Sequence, residues 1–286
     1  MKKFTSLLLA LAMALSFTAC GSKAPSAESA GQSVPEASSA APEESAQSGE
    51  AVELTVFAAA SMTETLTEIA QQYQTVAPDV TLTFNFDSSG TLQTQIEEGA
   101  VCDLFLSAGQ KQMDTLAEGG YLLSDSRLDL LENKVTLCVP EGNPAGIQDF
   151  DDMVARLKDG SILLAMGNSD VPVGQYTQAI FAYYDLDEST LSSSLTYGSN
   201  VKEVTTQVSE GSVDCGVIYC TDAYSAGLEI VNYATPEQCG QVIYPAAVLS
   251  GSQHQQEAQR FLDYLSTDEC MSVFEEVGFS PVSAGE

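Results

Sequence analysis

Residues Leu54 to Leu66 read LTVFAAASMTETL, and this stretch decides the fold. Thr55, Val56 and Phe57 form a β-branched and aromatic run, the pattern of a buried strand. Three alanines, Ala58 to Ala60, then lead into Ser61-Met62-Thr63-Glu64. That segment has the S-x-x-E form of a capping box and predicts a helix starting at Ser61. A strand that hands over to a helix at a crevice leaves unpaired backbone N–H groups and the positive end of the helix dipole there. Such an entrance suits an anion. Similar entrances recur at Ser89, at Val173-Gly174 after Pro172, and at Asn200-Val201. Taken singly, each also reads as an ordinary helix cap, because Ser and Asn are favoured there regardless of ligand.

Working outward, residues 1–19 read as a secretory signal. Lys2 and Lys3 precede an apolar stretch, Leu7 to Phe17, too short to span a bilayer comfortably. Thr18-Ala19-Cys20 resembles a lipobox, which implies acylation of Cys20 and a lipid anchor in the bacterial cell membrane; plain secretion is the alternative. From residue 20 to 50 the chain is almost entirely Ser, Ala, Glu, Pro, Gln and Gly. Such a composition buries too little apolar surface to offset its ordering entropy and predicts a disordered tether.

The formal net charge is −30, with 40 acidic residues against 10 basic ones. Removal of Lys2 and Lys3 takes it to about −32. Nucleic acid is excluded as a partner, since its binding needs Lys and Arg to displace counterions. With Cys20 acylated, six cysteines remain: Cys102, Cys138, Cys215, Cys220, Cys239 and Cys270. An even number outside the cytoplasm permits disulfides, but a chain of this size folds without them, so free thiols and bridges both stand open.

From residue 51 onward short apolar strands alternate with helical periodicities, which predicts an α/β fold with mostly parallel sheets. Strands are expected at Val80–Phe84, Asp103–Leu106, Lys134–Val139, Ile162–Ala165, Gly216–Tyr219 and Val242–Leu249. The strand ending before Pro140 and the one at Val242–Leu249 read as crossings between two lobes. On that reading 51–137 and 247–286 form one lobe and 138–246 the other, with a hinge and a cleft between them.

Catalytic signatures are scarce. The single histidine, His254, sits in a polar run at a helix start and reads as a surface residue. G-x-S-x-G, Walker A, H-E-x-x-H and EF-hand patterns do not occur. A carboxylate pair in the cleft would make the chain a secreted hydrolase, but no spacing singles one out. The helix entrances favour binding: strand-to-helix turns at the carboxyl ends of parallel strands face the crevice where ligands of such sheets lie.

Several segments match one family in order. They are LTVFAAASMTETL, FDSSGTLQTQIEEGAVCDLFLSAGQKQMD from Phe86 to Asp114, DVPVGQY from Asp170 to Tyr176, GVIYCTDA from Gly216 to Ala223, and VGFSPV near the end. Together they resemble the substrate-binding proteins of molybdate ABC importers across residues 51 to 286. The resemblance implies a two-lobe periplasmic-binding-protein fold that holds molybdate or tungstate without enzymatic action or cofactor, as a monomer serving a membrane permease. It further implies five contacts with the oxyanion. Ser61 and Ser89 would give hydroxyl and amide donors, Val173 and Val201 backbone N–H groups, and Tyr219 a phenolic hydroxyl; without the resemblance Tyr219 reads as a half-buried aromatic. Val173 stands where the family often has alanine, Gly90 where it often has serine, and Cys220 where it often has glycine. Sulfate, or another oxyanion, is the alternative ligand.

Overall fold

The computed structural model describes residues 51–282. The signal segment, Cys20 and the expected tether lie outside the described residues.

β1 (Val52–Ala59) leads through a 3₁₀ turn (Ala60–Met62) into α1 (Thr63–Val76), followed by β2 (Val80–Asp87), α2 (Ser89–Glu97), β3 (Leu104–Leu106), α3 (Gln110–Glu118) and β4 (Leu128–Asn133). The chain then enters β5 (Val135–Val139), α4 (Phe150–Asp159), β6 (Leu164–Gly167), α5 (Pro172–Tyr183), β7 (Leu195–Gly198), α6 (Val201–Ser209), β8 (Cys215–Tyr219), α7 (Cys220–Ala226), β9 (Glu229–Tyr233) and α8 (Pro236–Cys239). It closes with β10 (Val242–Val248), α9 (Gln255–Leu265), α10 (Asp268–Glu276) and β11 (Ser280–Pro281).

Two sheets result, six-stranded β11-β4-β10-β3-β1-β2 and five-stranded β7-β6-β8-β5-β9. The two-lobe fold is as expected, but the sheets are mixed rather than mostly parallel. β1 pairs in parallel with β2 and β3, and β6 with β7 and β8. The remaining pairings, which all involve β4, β5 or β10, are antiparallel. These are the strands on which the chain passes between sheets, and a strand that leaves a lobe directly has no helical crossover to restore its direction.

The boundaries expected after 137 and at 247 are corrected in the same way. All of β5 pairs in the second sheet, so the first crossing is at Lys134; all of β10 pairs in the first sheet, so the return is complete by Val242. Apolar composition alone could not tell which sheet a buried strand joins, because both offer the same apolar surroundings.

Each sheet is covered by helices that bury one stripe. α1 turns Leu66, Ile69 and Tyr73 inward, and Tyr73 packs on Phe261 and Tyr264 of α9 with ring centroids 4.9 and 5.0 Å apart. The C-terminal helices thus return to the first lobe. In the second lobe, α4 starts at Asp149, whose carboxylate accepts from the Asp152 N–H at 2.8 Å, and ends at Gly160 in the left-handed region (φ 72°). The six described cysteines are free thiols; five are buried.

Candidate functional site

The helix entrances meet between the lobes. The turn after β1 packs against the start of α6. At the start of α2, a Cβ on Gly90 would lie 2.0 Å from the carbonyl oxygen of Asp170, just ahead of α5. A Cβ on Gly109, ahead of α3, would lie 3.3 Å from Pro172. Asn200 Nδ2 donates across the gap to Asp87 Oδ1 at 3.3 Å. The lobes are therefore closed on one another, and Ser61, Ser89, Val173, Val201 and Tyr219 are all buried.

Val201 is the first residue of α6 and Val173 the second of α5. Their N–H groups have no acceptor within the helix at these positions. Asn200 caps α6 as expected, its side chain accepting from the Glu203 N–H at 3.1 Å. The two serines behave differently from the sequence expectation. α1 begins at Thr63 after the 3₁₀ turn, and Ser61 caps nothing; its Oγ lies 2.9 Å from the hydroxyl of Tyr244. α2 is capped by Ser88, which accepts from the Thr91 N–H. Ser89 is the first helical residue, and its Oγ accepts from the Ala108 N–H at 2.9 Å.

Tyr219 ends β8 and is 1% exposed. Its ring meets Tyr176 and Tyr244 edge-on at 6.3 and 5.6 Å, and its hydroxyl lies 3.5 Å from the carbonyl of Ala108. Burial holds its pKa well above the ordinary phenol value, so it stays a neutral donor. Ser61, Ser89 and Tyr219 thus share neighbours: Tyr244 meets Ser61 and Tyr219, and Ala108 meets Ser89 and Tyr219.

Carboxylates border this junction, and each is engaged. Asp87 accepts from the Ser88 N–H and from Asn200. Glu64 and Asp222 share the ammonium of Lys202, which lies 2.7 Å from one Glu64 oxygen and 3.2 Å from one Asp222 oxygen. Burial pushes the Asp222 carboxyl up to about 6 against the opposing pull of Lys202. Burial also disfavours the Lys202 charge, but Asp222 and Glu64 outweigh it and raise its pKa. This triad was not legible in the sequence, where Glu64 and Lys202 lie 138 residues apart.

A groove of about 790 Å³ lies elsewhere, at the amino-terminal end of β1. Thr55, Cys102, Asp103 and His254 line it, and none of the five candidates touches it. Asp103 is spent there on structure, accepting from the Thr55 N–H and the Ser252 hydroxyl. His254 is half-buried at the start of α9. Among the described residues no group of His, Cys, Asp and Glu could hold a bare metal ion, and no helix is long and apolar enough to cross a membrane.

Two lobes joined by two crossings and closed over a junction rich in donors define a hinged binding protein. The match to known proteins makes this specific. A family model described as bacterial extracellular solute-binding protein covers residues 54–280, and the chain belongs to that family. YvgL of Bacillus subtilis, provisionally named an ABC transporter substrate-binding lipoprotein, is 33% identical over 238 residues, covering 82% of this chain and 89% of that one. The molybdate-binding protein ModA of Haemophilus influenzae is 31% identical over 231 residues, covering 79% and 89%. The solved periplasmic molybdate-binding protein of Azotobacter vinelandii superposes with a TM-score of 0.70 at 20% identity, over 81% of this chain and all of that one, which supports the fold. The chain is a solute-binding protein of this family.

Proposed function

We propose that the protein captures molybdate or tungstate between its lobes and hands it to a membrane permease while anchored through Cys20, as a monomer. The observation that carries this reading is the meeting of helix entrances from both lobes around Ser61, Ser89, Val173, Val201 and Tyr219. Each offers a hydrogen-bond donor, and none of the five is a carboxylate. A fully deprotonated dianion is bound by donors alone, with the helix ends supplying partial positive charge. The named relatives support molybdate over other oxyanions. Hydrogen phosphate would have to bury a proton with no acceptor, which costs binding energy.

Closure follows from the same geometry. A ligand touching both lobes favours the closed state by its differential contacts. Calorimetric titration with molybdate, tungstate, sulfate and phosphate tests the reading. Molybdate and tungstate are expected to bind tightly and phosphate poorly. Sulfate binding tighter than molybdate would move the assignment to sulfate.

A further inference from the structure

We propose that Tyr244 is a positioning residue that commits the Ser61 hydroxyl to donation toward the bound anion. This rests on the oxyanion reading of the site. Tyr244 lies on β10, is buried, and packs its ring edge-on against Tyr219 and Phe279, with centroids 5.6 and 5.2 Å apart. Its hydroxyl has two close partners, Ser61 Oγ at 2.9 Å and Asn133 Nδ2 at 3.1 Å.

The direction of each bond follows from Asn133, the last residue of β4 beside the first crossing. Its Oδ1 accepts from the Lys134 N–H at 2.7 Å and from the Cys220 thiol at 3.2 Å, which fixes the amide orientation. Nδ2 can only donate, and it gives its protons to Thr221 Oγ1 at 3.1 Å and to the Tyr244 oxygen. The phenol, having accepted there, must still place its own proton. Burial keeps that proton in place by holding the phenol well above its ordinary pKa. Ser61 Oγ, at 2.9 Å, is its closest acceptor, so Tyr244 donates to it, because a buried donor left unplaced is costly. The Ser61 proton is then free to face the ligand.

Ser89 shows the same arrangement without ambiguity of direction. Its oxygen accepts from a main-chain N–H, that of Ala108, and its own proton is likewise left free. Both serines are thus supplied with a hydrogen bond from behind and donate forward, as an anion with no proton of its own requires. For Ser89 the supplier is backbone; for Ser61 it is one side chain, 183 residues away. Donors in series polarise one another, so the relay from Asn133 through Tyr244 also strengthens the final bond.

A double-mutant cycle on the full chain, read by calorimetric titration with sodium molybdate, tests this. Tyr244→Phe keeps the ring and removes one hydroxyl. It is expected to weaken binding roughly five- to tenfold, the scale of a single hydrogen bond in a charged relay. In a Ser61→Ala background the same change is expected to alter affinity by less than about twofold, because its effect passes through Ser61. In a Ser89→Ala background the full loss should return. Equal losses in all backgrounds would assign Tyr244 a packing role and overturn the proposal, as would wild-type affinity in Tyr244→Phe. A wild-type chain that binds no molybdate overturns the oxyanion reading, and this proposal with it.

Discussion

Ser61 and Ser89 owe their interest to what they do not do. A serine at a helix start ordinarily spends its oxygen on a backbone N–H of the first turn. Here Ser88 caps α2, no side chain caps the turn at Ser61, and both candidate hydroxyls reach across to other elements. Hydrogen bonds to a charged group are worth about 1.5–3 kcal/mol each. Ser61→Ala or Ser89→Ala is therefore expected to weaken molybdate binding roughly ten- to a hundredfold by calorimetry; unchanged affinity would make that serine purely structural. Asp222 gives a second prediction at this scale. Its folded pKa of about 6 lies above the ordinary carboxyl value of 3.8, because burial disfavours its charge despite Lys202. The folded state therefore binds the proton more strongly than the unfolded state. The stability this adds is full below about pH 4 and is lost as pH rises through 6. Wild type should gain thermal stability relative to Asp222→Asn as pH falls from 7 to 5, by at most about 1.4 kcal/mol per pH unit. A difference that stays flat with pH would mean Asp222 remains ionised throughout.

At the scale of elements, the site is a meeting of helix starts, and closeness decides its geometry. Gly90 brings α2 against the Asp170 carbonyl so tightly that even a methyl group would overlap it. This glycine is needed for space, since its backbone is not in the left-handed region. Gly90→Ala is expected to hold the lobes apart. Molybdate affinity should fall by more than about tenfold while the thermal midpoint of the ligand-free protein changes little, since the overlap is with the Asp170 backbone across the cleft and not with a core side chain. Parallel loss of both would show that the glycine serves folding instead. The strands missed by sequence reading also belong to this scale. β7, β9 and β11 are sheet edges, and β4 lies next to β11. β9 is half-exposed along most of its length, and β4 reads Leu-Asp-Leu-Leu-Glu-Asn with two exposed residues at its start. Such strands have no unbroken apolar run to announce them, whereas β1, β8 and β10 do.

For the whole molecule, the net charge of −30 sets the approach of a ligand. A dianion is repelled at long range, and Lys202, next to Val201 in the chain, is paired with Glu64 and Asp222. Donors and helix ends act only after entry. The Debye length shrinks from about 30 Å at 0.01 M salt to about 10 Å at 0.1 M. Molybdate association measured by stopped flow should therefore accelerate over that range. A rate that falls steeply with salt would reveal a basic funnel at the cleft mouth.

Local pattern carried the α/β alternation, the helix entrances, the acid surplus and the family likeness, because each is written in neighbouring residues or in composition. The helix entrances also marked Ser61, Ser89, Val173 and Val201, while Tyr219 came forward only through the family resemblance. Tertiary structure alone decided that β5 joins the second sheet and β10 the first, that Ser61 faces Tyr244 instead of its own helix, and that Lys202 sits between Glu64 and Asp222. Glu64 lies 138 residues from Lys202 and Tyr244 lies 183 from Ser61. Periodicity reports which face of an element is buried; which distant side chain shares that burial depends on how the two lobes pack, and that is settled only when the chain has closed on itself.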